Sequence, residues 1–247
     1  MAKKVRQYEL DFHSSTFRPD DKLEWLAHIY RAMVNSITVS VYGGRFANRS
    51  KREECYPFIP KDNLRNHFEQ MSAVHEIIMS ERLAKAKKSH VLDLPFDQQS
   101  IKFCDAGCGI GNIMLLAKCV GFKVFGVEYD ERLVKWAKQI CGPGWDKYGN
   151  YGGVTRGDLL KNARRWRKFD VVYYYCPLCD NALQAKFEIM LEDNLKVGAF
   201  IIAHLKKSHR IEKDSRFVRC GFLSADGKRF GYDGLVFRKV RRGPCPK

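Results

Sequence analysis

The spacing of apolar positions divides the chain near residue 100. Before it, Leu23, Leu26, Ile29, Tyr30, Met33 and Ile37 recur at three and four through residues 20–38, behind an acidic start. After the turn at Pro60-Lys61-Asp62 a second run follows: Leu64, Phe68, Met71, Val74, Ile77, Ile78 and Leu83, toward basic residues ending near Lys88. Each spacing predicts a helix with one apolar side. The segment between them, "VYGGRFANRSKREECYPFIP", holds a glycine pair and two prolines and reads as a loop. Beyond residue 100 the pattern changes to short apolar runs. "IKFCD", "KVFGVE", "GGVTRGD", "FDVVYYY" and "VGAFIIAHL" read as five strands, separated by predicted helices over 111–120, 131–140, 159–166 and 181–192.

Strands separated by helices need right-handed crossovers, which give a parallel sheet covered on both faces. "RFVRCGF" and "GLVFRKV" have only a Gly-containing turn between them, so they must pair as an antiparallel hairpin finishing the sheet. The predicted class is α/β: a Rossmann-like doubly wound sheet, mostly parallel with an antiparallel last strand, plus an N-terminal helical extension. Residues 1–99 form that extension or cap, with a basic loop at 42–57, and residues 100–247 form the sheet domain.

Composition narrows the function. No run approaches the roughly 18–20 apolar residues a bilayer requires, so no membrane partner is expected. The N-terminus, MAKKVRQYELDFHSS, lacks the apolar stretch of a secretory signal. Nine scattered cysteines and no export signal suit reduced thiols, and a cytoplasmic location, or nuclear in a eukaryote. Charge adds more: the net is +16, distributed as +3 over residues 1–100, +4 over 101–200 and +9 over the last 47. That sign attracts polyanions, with nucleic acid the first candidate.

The first strand leads into Cys104-Asp105-Ala106-Gly107-Cys108-Gly109-Ile110-Gly111-Asn112. In an open parallel sheet, ligands sit beyond the C-terminal strand ends. Glycines there allow a tight turn and close backbone approach, and the next helix offers its first N–H groups. A dinucleotide fingerprint would place its third glycine at 112, where this chain has Asn. Asp105, two before the first glycine, would repel a pyrophosphate but can receive an ammonium group. Glu128 closes the second strand, 17 residues after Gly111, where an acid can accept ribose hydroxyls. Asp158 closes the third, positioned for an adenine amino group.

"FCDAGCGIGN", "VFGVEYD" and "RGDLL" together resemble the motif series of the class I S-adenosylmethionine-dependent methyltransferases, over roughly residues 100–240. The resemblance implies S-adenosylmethionine as cofactor. The glycine loop with Asp105, Gly107, Cys108, Gly109 and Gly111 would hold its methionine part. Glu128, with Tyr129, would bind the ribose, and Asp158, with Leu159, would contact the adenine. Residues 1–99 match no motif of that family.

"YYYCPLCD", Tyr173–Asp180, raises two local alternatives: a glutaredoxin-like dithiol, or half a zinc site. The first lacks a later proline before a strand, since none lies between Pro177 and Pro244. The second lacks another Cys or His pair at matching spacing, so no metal is expected. In the methyltransferase-like frame this is the end of the fourth strand, beside the methyl group. Tyr175, Cys176 and Pro177 are the candidates for the acceptor pocket, and alternation sends Tyr174 to one face and Tyr173 and Tyr175 to the other. Family members that methylate amino groups of nucleic acids carry Asp or Asn, Pro-Pro and an aromatic here, unlike Cys176-Pro177-Leu178. The stretch with Lys186-Phe187 is loosely similar to the non-SET histone lysine methyltransferases, which keeps a basic protein open as substrate. Asp180, His204 or a residue of the N-terminal helices is the candidate base if one is used; His204 otherwise reads as a rim histidine. The expected function is a methyltransferase acting on a macromolecule, nucleic acid ahead of protein. A small-molecule methyltransferase and a non-catalytic nucleic-acid-binding protein of the same fold are the alternatives.

Overall fold

A computed structural model of the chain describes residues 64–89, 100–141, 153–220 and 234–243. The predicted helix at 20–38 and the basic loop 42–57 lie outside the described residues. The described part begins with α1 (Leu64–Ser89) and continues β1 (Lys102–Ala106), α2 (Asn112–Val120), β2 (Lys123–Glu128), α3 (Glu131–Cys141) and β3 (Gly153–Arg156). A 3-10 helix (Ala163–Lys168) precedes β4 (Val171–Tyr175), α4 (Asn181–Asn194) and β5 (Phe200–His204). A single turn, α5 (Arg210–Lys213), leads to β6 (Phe217–Cys220) and β7 (Gly234–Lys239).

The seven strands lie in the order β3-β2-β1-β4-β5-β7-β6. The first five are parallel; β7 runs antiparallel between β5 and β6. The hairpin therefore pairs as its short connection requires, but its second strand inserts next to β5. The edge strand, β6, consequently runs parallel to β5. Order reverses between β1 and β4, which is where an α/β sheet opens a crevice for a ligand.

Two apolar layers sandwich the sheet. One joins Phe103, Val171, Tyr173, Phe200 and Ile202 to Met71, Val74 and Ile78 of α1 and to Met114 and Ala117 of α2. The other joins Cys104, Val172, Tyr174 and Ile201 to Trp166 of the 3-10 helix and Phe187 and Leu191 of α4. Strands covered on both faces read as near-continuous apolar runs, as "VVYYY" and "FIIAH" do. By its packing, α1 is a layer of the sheet domain's core. Its apolar side ends before Leu83, which is 56% exposed. One residue earlier Arg82 pairs with Asp170, just ahead of β4, so the helix has reached the sheet's N-terminal edge.

The helix predicted over 159–166 is a correction. Asp158 accepts the Leu160 N–H at 2.8 Å, making a tight turn, and Asn162 stands at φ 59. Helical backbone starts only at Ala163 and is 3-10, anchored by the fully buried Trp166. Among the described residues no helix is long and apolar enough to cross a membrane.

Candidate functional site

The glycine loop leaves β1 and is bonded to β2 at once: the N–H groups of Gly107 and Cys108 donate to the Val127 carbonyl at 2.8 and 3.1 Å. Gly107, Gly109 and Gly111 all have positive φ, of 80°, 53° and 91°. Only glycine adopts such angles without strain. At Gly107 there is a second requirement, because a Cβ would collide with the Pro177 ring. The glycine loop and "CPLC" are thus in contact. Pro177 forms one wall of the glycine turn, which accounts for a proline there better than a dithiol does; Cys176 and Cys179 carry thiols.

The three acids stand at or just past the ends of neighbouring strands β1, β2 and β3. Glu128 Oε2 accepts the Gly109 N–H at 2.9 Å, and Oε1 accepts those of Tyr129 and Asp130 at 2.7 and 2.9 Å. Asp105 is buried, and burial, reinforced by the Glu128 charge, pushes its carboxyl well above the usual range. The Gly157 N–H donates to the Glu128 carbonyl at 2.9 Å, which brings Asp158 to the tip beside β2. Leu159 is buried beneath it, whereas Tyr129 is 73% exposed at the strand end. Cys108 packs under Gly126, where a Cβ would stand 2.6 Å from its Sγ. Asp105, Glu128 and Asp158 therefore end on one edge of the sheet.

Tyr175, half-buried, is the last residue of β4 and registers with His204, the last of β5. Their rings stack at 5.5 Å with planes 15° apart. Cys176 follows at φ 41 and Leu205 at φ 52, so both neighbouring tips exit through left-handed backbone without glycine. Such geometry persists only where surroundings enforce it, and it concentrates at functional sites. Alternation places the tyrosines as expected, yet only Tyr175 approaches the rim. The Tyr173 hydroxyl lies 3.2 Å from His67 Nδ1, and Tyr174 is buried on the opposite face among Phe187 and the Glu188 and Glu192 charges.

His204 is not at the rim. It is buried, with Nε2 3.1 Å from Gln70 Oε1 of α1, and its ring centre is 4.2 Å from that of His67. His67 is equally buried, which pushes its pKa down to about 4 and keeps it neutral. Asp180 caps α4, accepting the Leu183 N–H at 2.8 Å, and is exposed. Sequence reasoning missed His67, Gln70, Gln184 and Glu188. The visible signal was polar residues beside an apolar helical stripe.

No family model matches the sequence, and no curated protein matches it. Solved structures do resemble the fold. A methyltransferase from Geobacter sulfurreducens aligns over 93% of this chain and 99% of its own, with 13% identity and a TM-score of 0.54. The chain has the class I methyltransferase fold. More distant likenesses to structures of that fold include the magnesium protoporphyrin IX methyltransferase of Synechocystis PCC 6803 with bound S-adenosylmethionine. It shows 18% identity over 86% of this chain and 97% of its own, TM-score 0.47. A putative RNA methyltransferase of Pyrococcus horikoshii shows 16% identity over 90% and 100%, TM-score 0.46. The glycine loop follows β1, one of the two strands at the order reversal, and Glu128 and Asp158 stand at the ends of the next two strands, β2 and β3.

Proposed function

We propose that this protein is an S-adenosylmethionine-dependent methyltransferase acting on a macromolecule, with nucleic acid ahead of protein. The observation that carries the reading is the closed glycine turn: Gly107 against Pro177, Gly109 held by Glu128, and Asp105 buried beside them. The residues fit the cofactor. Three left-handed glycines let backbone approach a ligand closely. A buried carboxyl whose ionisation is suppressed regains its charge when a cation arrives, so Asp105 suits the ligand's ammonium group. Glu128 would bind the ribose hydroxyls and Asp158 the adenine, with Tyr129 exposed beside them. When bound, S-adenosylmethionine supplies a methyl group already activated on sulfur.

The chain's own task is to orient the acceptor and exclude water. Tyr175, Cys176 and Pro177 border the acceptor position. The Tyr175 ring, backed by the buried His204 it stacks on, borders that position without a carboxylate of its own, which favours a planar heterocycle over an alkylammonium group. Macromolecular nucleic acid is supported by the +16 charge and by the segment 161–168, whose Lys161, Arg164, Arg167 and Lys168 are all exposed.

Calorimetry with S-adenosylmethionine tests the cofactor. Micromolar binding is expected, lost in Glu128→Ala; no binding by the wild-type protein would leave a nucleic-acid-binding protein of the same fold. Labelled cofactor offered with pools of RNA, DNA, protein and metabolites tests the substrate. Label confined to metabolites would end the macromolecular reading.

A further inference from the structure

Two loops border the acceptor edge, one leaving β4 and one leaving β5, and a single pair of α4 side chains holds both. On the β4 side, the Leu178 N–H donates to Gln184 Oε1 at 3.1 Å. Gln184 Nε2 donates in turn to Glu188 Oε1 at 2.8 Å, one helical turn on. On the β5 side, the Lys207 N–H lies 3.0 and 3.1 Å from the two Glu188 oxygens, and the Ser208 N–H donates to Oε2 at 2.5 Å. The Tyr174 side chain, on β4, faces the same carboxylate, whose charge helps hold the phenol protonated. Gln184 is fully buried and Glu188 is 2% exposed.

Among the described residues no cation pairs with Glu188; two backbone N–H groups and an amide satisfy it instead. A buried carboxylate is costly unless its oxygens are bonded, so a loop movement that withdrew Lys207 and Ser208 would strand it. The arrangement therefore resists such movement. It also sits directly behind the two strained exits, Cys176 at φ 41 and Leu205 at φ 52, which need an external restraint to persist. Tyr175 and His204, the residues immediately before those exits, form the stacked pair at the acceptor edge.

We infer that Glu188, acting with Gln184, is a positioning residue for methyl transfer: it locks the β4 and β5 exits together and fixes the platform that holds the acceptor. This rests on the proposed methyltransferase reading. Glu188 touches neither the glycine loop nor its acids, so its effect falls on the acceptor side and not on cofactor binding.

Glu188→Gln is the sharpest test, because it keeps the shape while placing an NH2 group among N–H donors. Hydrogen exchange of the full chain should show the Lys207 and Ser208 amides losing at least about tenfold of their protection, since each loses a charge-assisted bond. Gln184→Ala should release Leu178 instead, and serves if the first variant folds poorly. In Glu188→Gln turnover should fall about 100-fold, the scale of a 1 Å misplacement, while the S-adenosylmethionine dissociation constant stays within about twofold. Gln184→Ala, whose Leu178 adjoins Pro177 at the glycine turn, is read by the Leu178 amide and turnover only. Unchanged amide protection, unchanged turnover, or a parallel fall in turnover, cofactor affinity and unfolding midpoint would each overturn the inference. A wild-type protein that binds no S-adenosylmethionine would instead overturn the methyltransferase reading and the positioning role with it. The exchange data would still report whether the clamp exists.

Discussion

Gly107 carries two constraints at one position: a φ of +80° and the Pro177 ring where a side chain would go. Left-handed backbone costs a non-glycine residue about 1–2 kcal/mol, and overpacking against a ring about 1–3 kcal/mol more. Gly107→Ala should therefore lower stability by roughly 2–5 kcal/mol and weaken S-adenosylmethionine binding at least tenfold. Gly157→Ala is the matched comparison. Its added Cβ comes closest to the Arg165 guanidinium at 3.2 Å, the far end of a flexible side chain, with Val127 at an ordinary 3.6 Å, and little change is expected. Thermal unfolding and calorimetry on both variants check this, and an innocuous Gly107→Ala would remove the case for a preset loop. The glycines and acids were legible because a strand-to-helix turn is local: its residues and their spacing are contiguous in the chain. The Pro177 contact was not, because it joins turns 70 residues apart, and spacing within either turn says nothing about the other.

At the scale of elements, α1 crosses one face of the sheet from the acceptor edge to the opposite one. His67 and Gln70 meet Tyr173 and His204 at one end; Arg82 and Glu81 pair with Asp170 and Arg238 at the other. The helix was legible from its apolar period, but its polar anchors were not, since those partners lie 106 and 134 residues away. The docking makes a pH prediction. Burial pushes His67 down to about 4 from an ordinary value near 6.5, so the folded protein holds it neutral where the unfolded chain protonates it. The unfolded state then binds more protons between those values, and stability falls as pH drops through that window. At one unit per 1.36 kcal/mol, the loss from pH 7.5 to pH 5 is about 2 kcal/mol. His75, also lowered by burial, adds a loss of the same sign, so wild-type slope alone does not isolate His67. His67→Gln does: its unfolding midpoint should fall less on acidification. Identical pH slopes for the two proteins would show that His67 is not the titrating anchor.

For the whole molecule, sequence counts located the positive charge only by segment, and the fold redistributes it. The last 47 residues carry +9, yet Arg210, Arg216, Arg238 and Lys239 are engaged by Glu192, Asp193, Asp214, Glu81 and the Glu192 and Asp193 carbonyls. Paired cations release few counterions to a polyanion. The segment 161–168 differs. Five cations stand in eight residues, with no acid between Asp158 and Asp170. Among the described residues Arg164, Arg165 and Arg167 make no ion pair, while Arg132 and Arg156 each have one. The 3-10 backbone turns the segment outward by burying only Trp166, and it begins just after the predicted adenine acid. If nucleic acid is the substrate, its phosphates should track this segment more than Arg241 and Arg242. Each phosphate contact on a single strand contributes about 0.7 to the slope of log K against log salt. The triple change Arg164→Gln, Arg167→Gln, Lys168→Gln should therefore reduce that slope by about 2 and weaken RNA oligonucleotides of different sequence alike. S-adenosylmethionine affinity should not move, because none of the three touches the glycine loop. Charge reversal at Arg241 and Arg242 should change the slope less. A wild-type slope in the triple variant would remove the segment as a phosphate track, and no RNA or DNA binding by the wild-type protein at low salt would remove nucleic acid as the substrate.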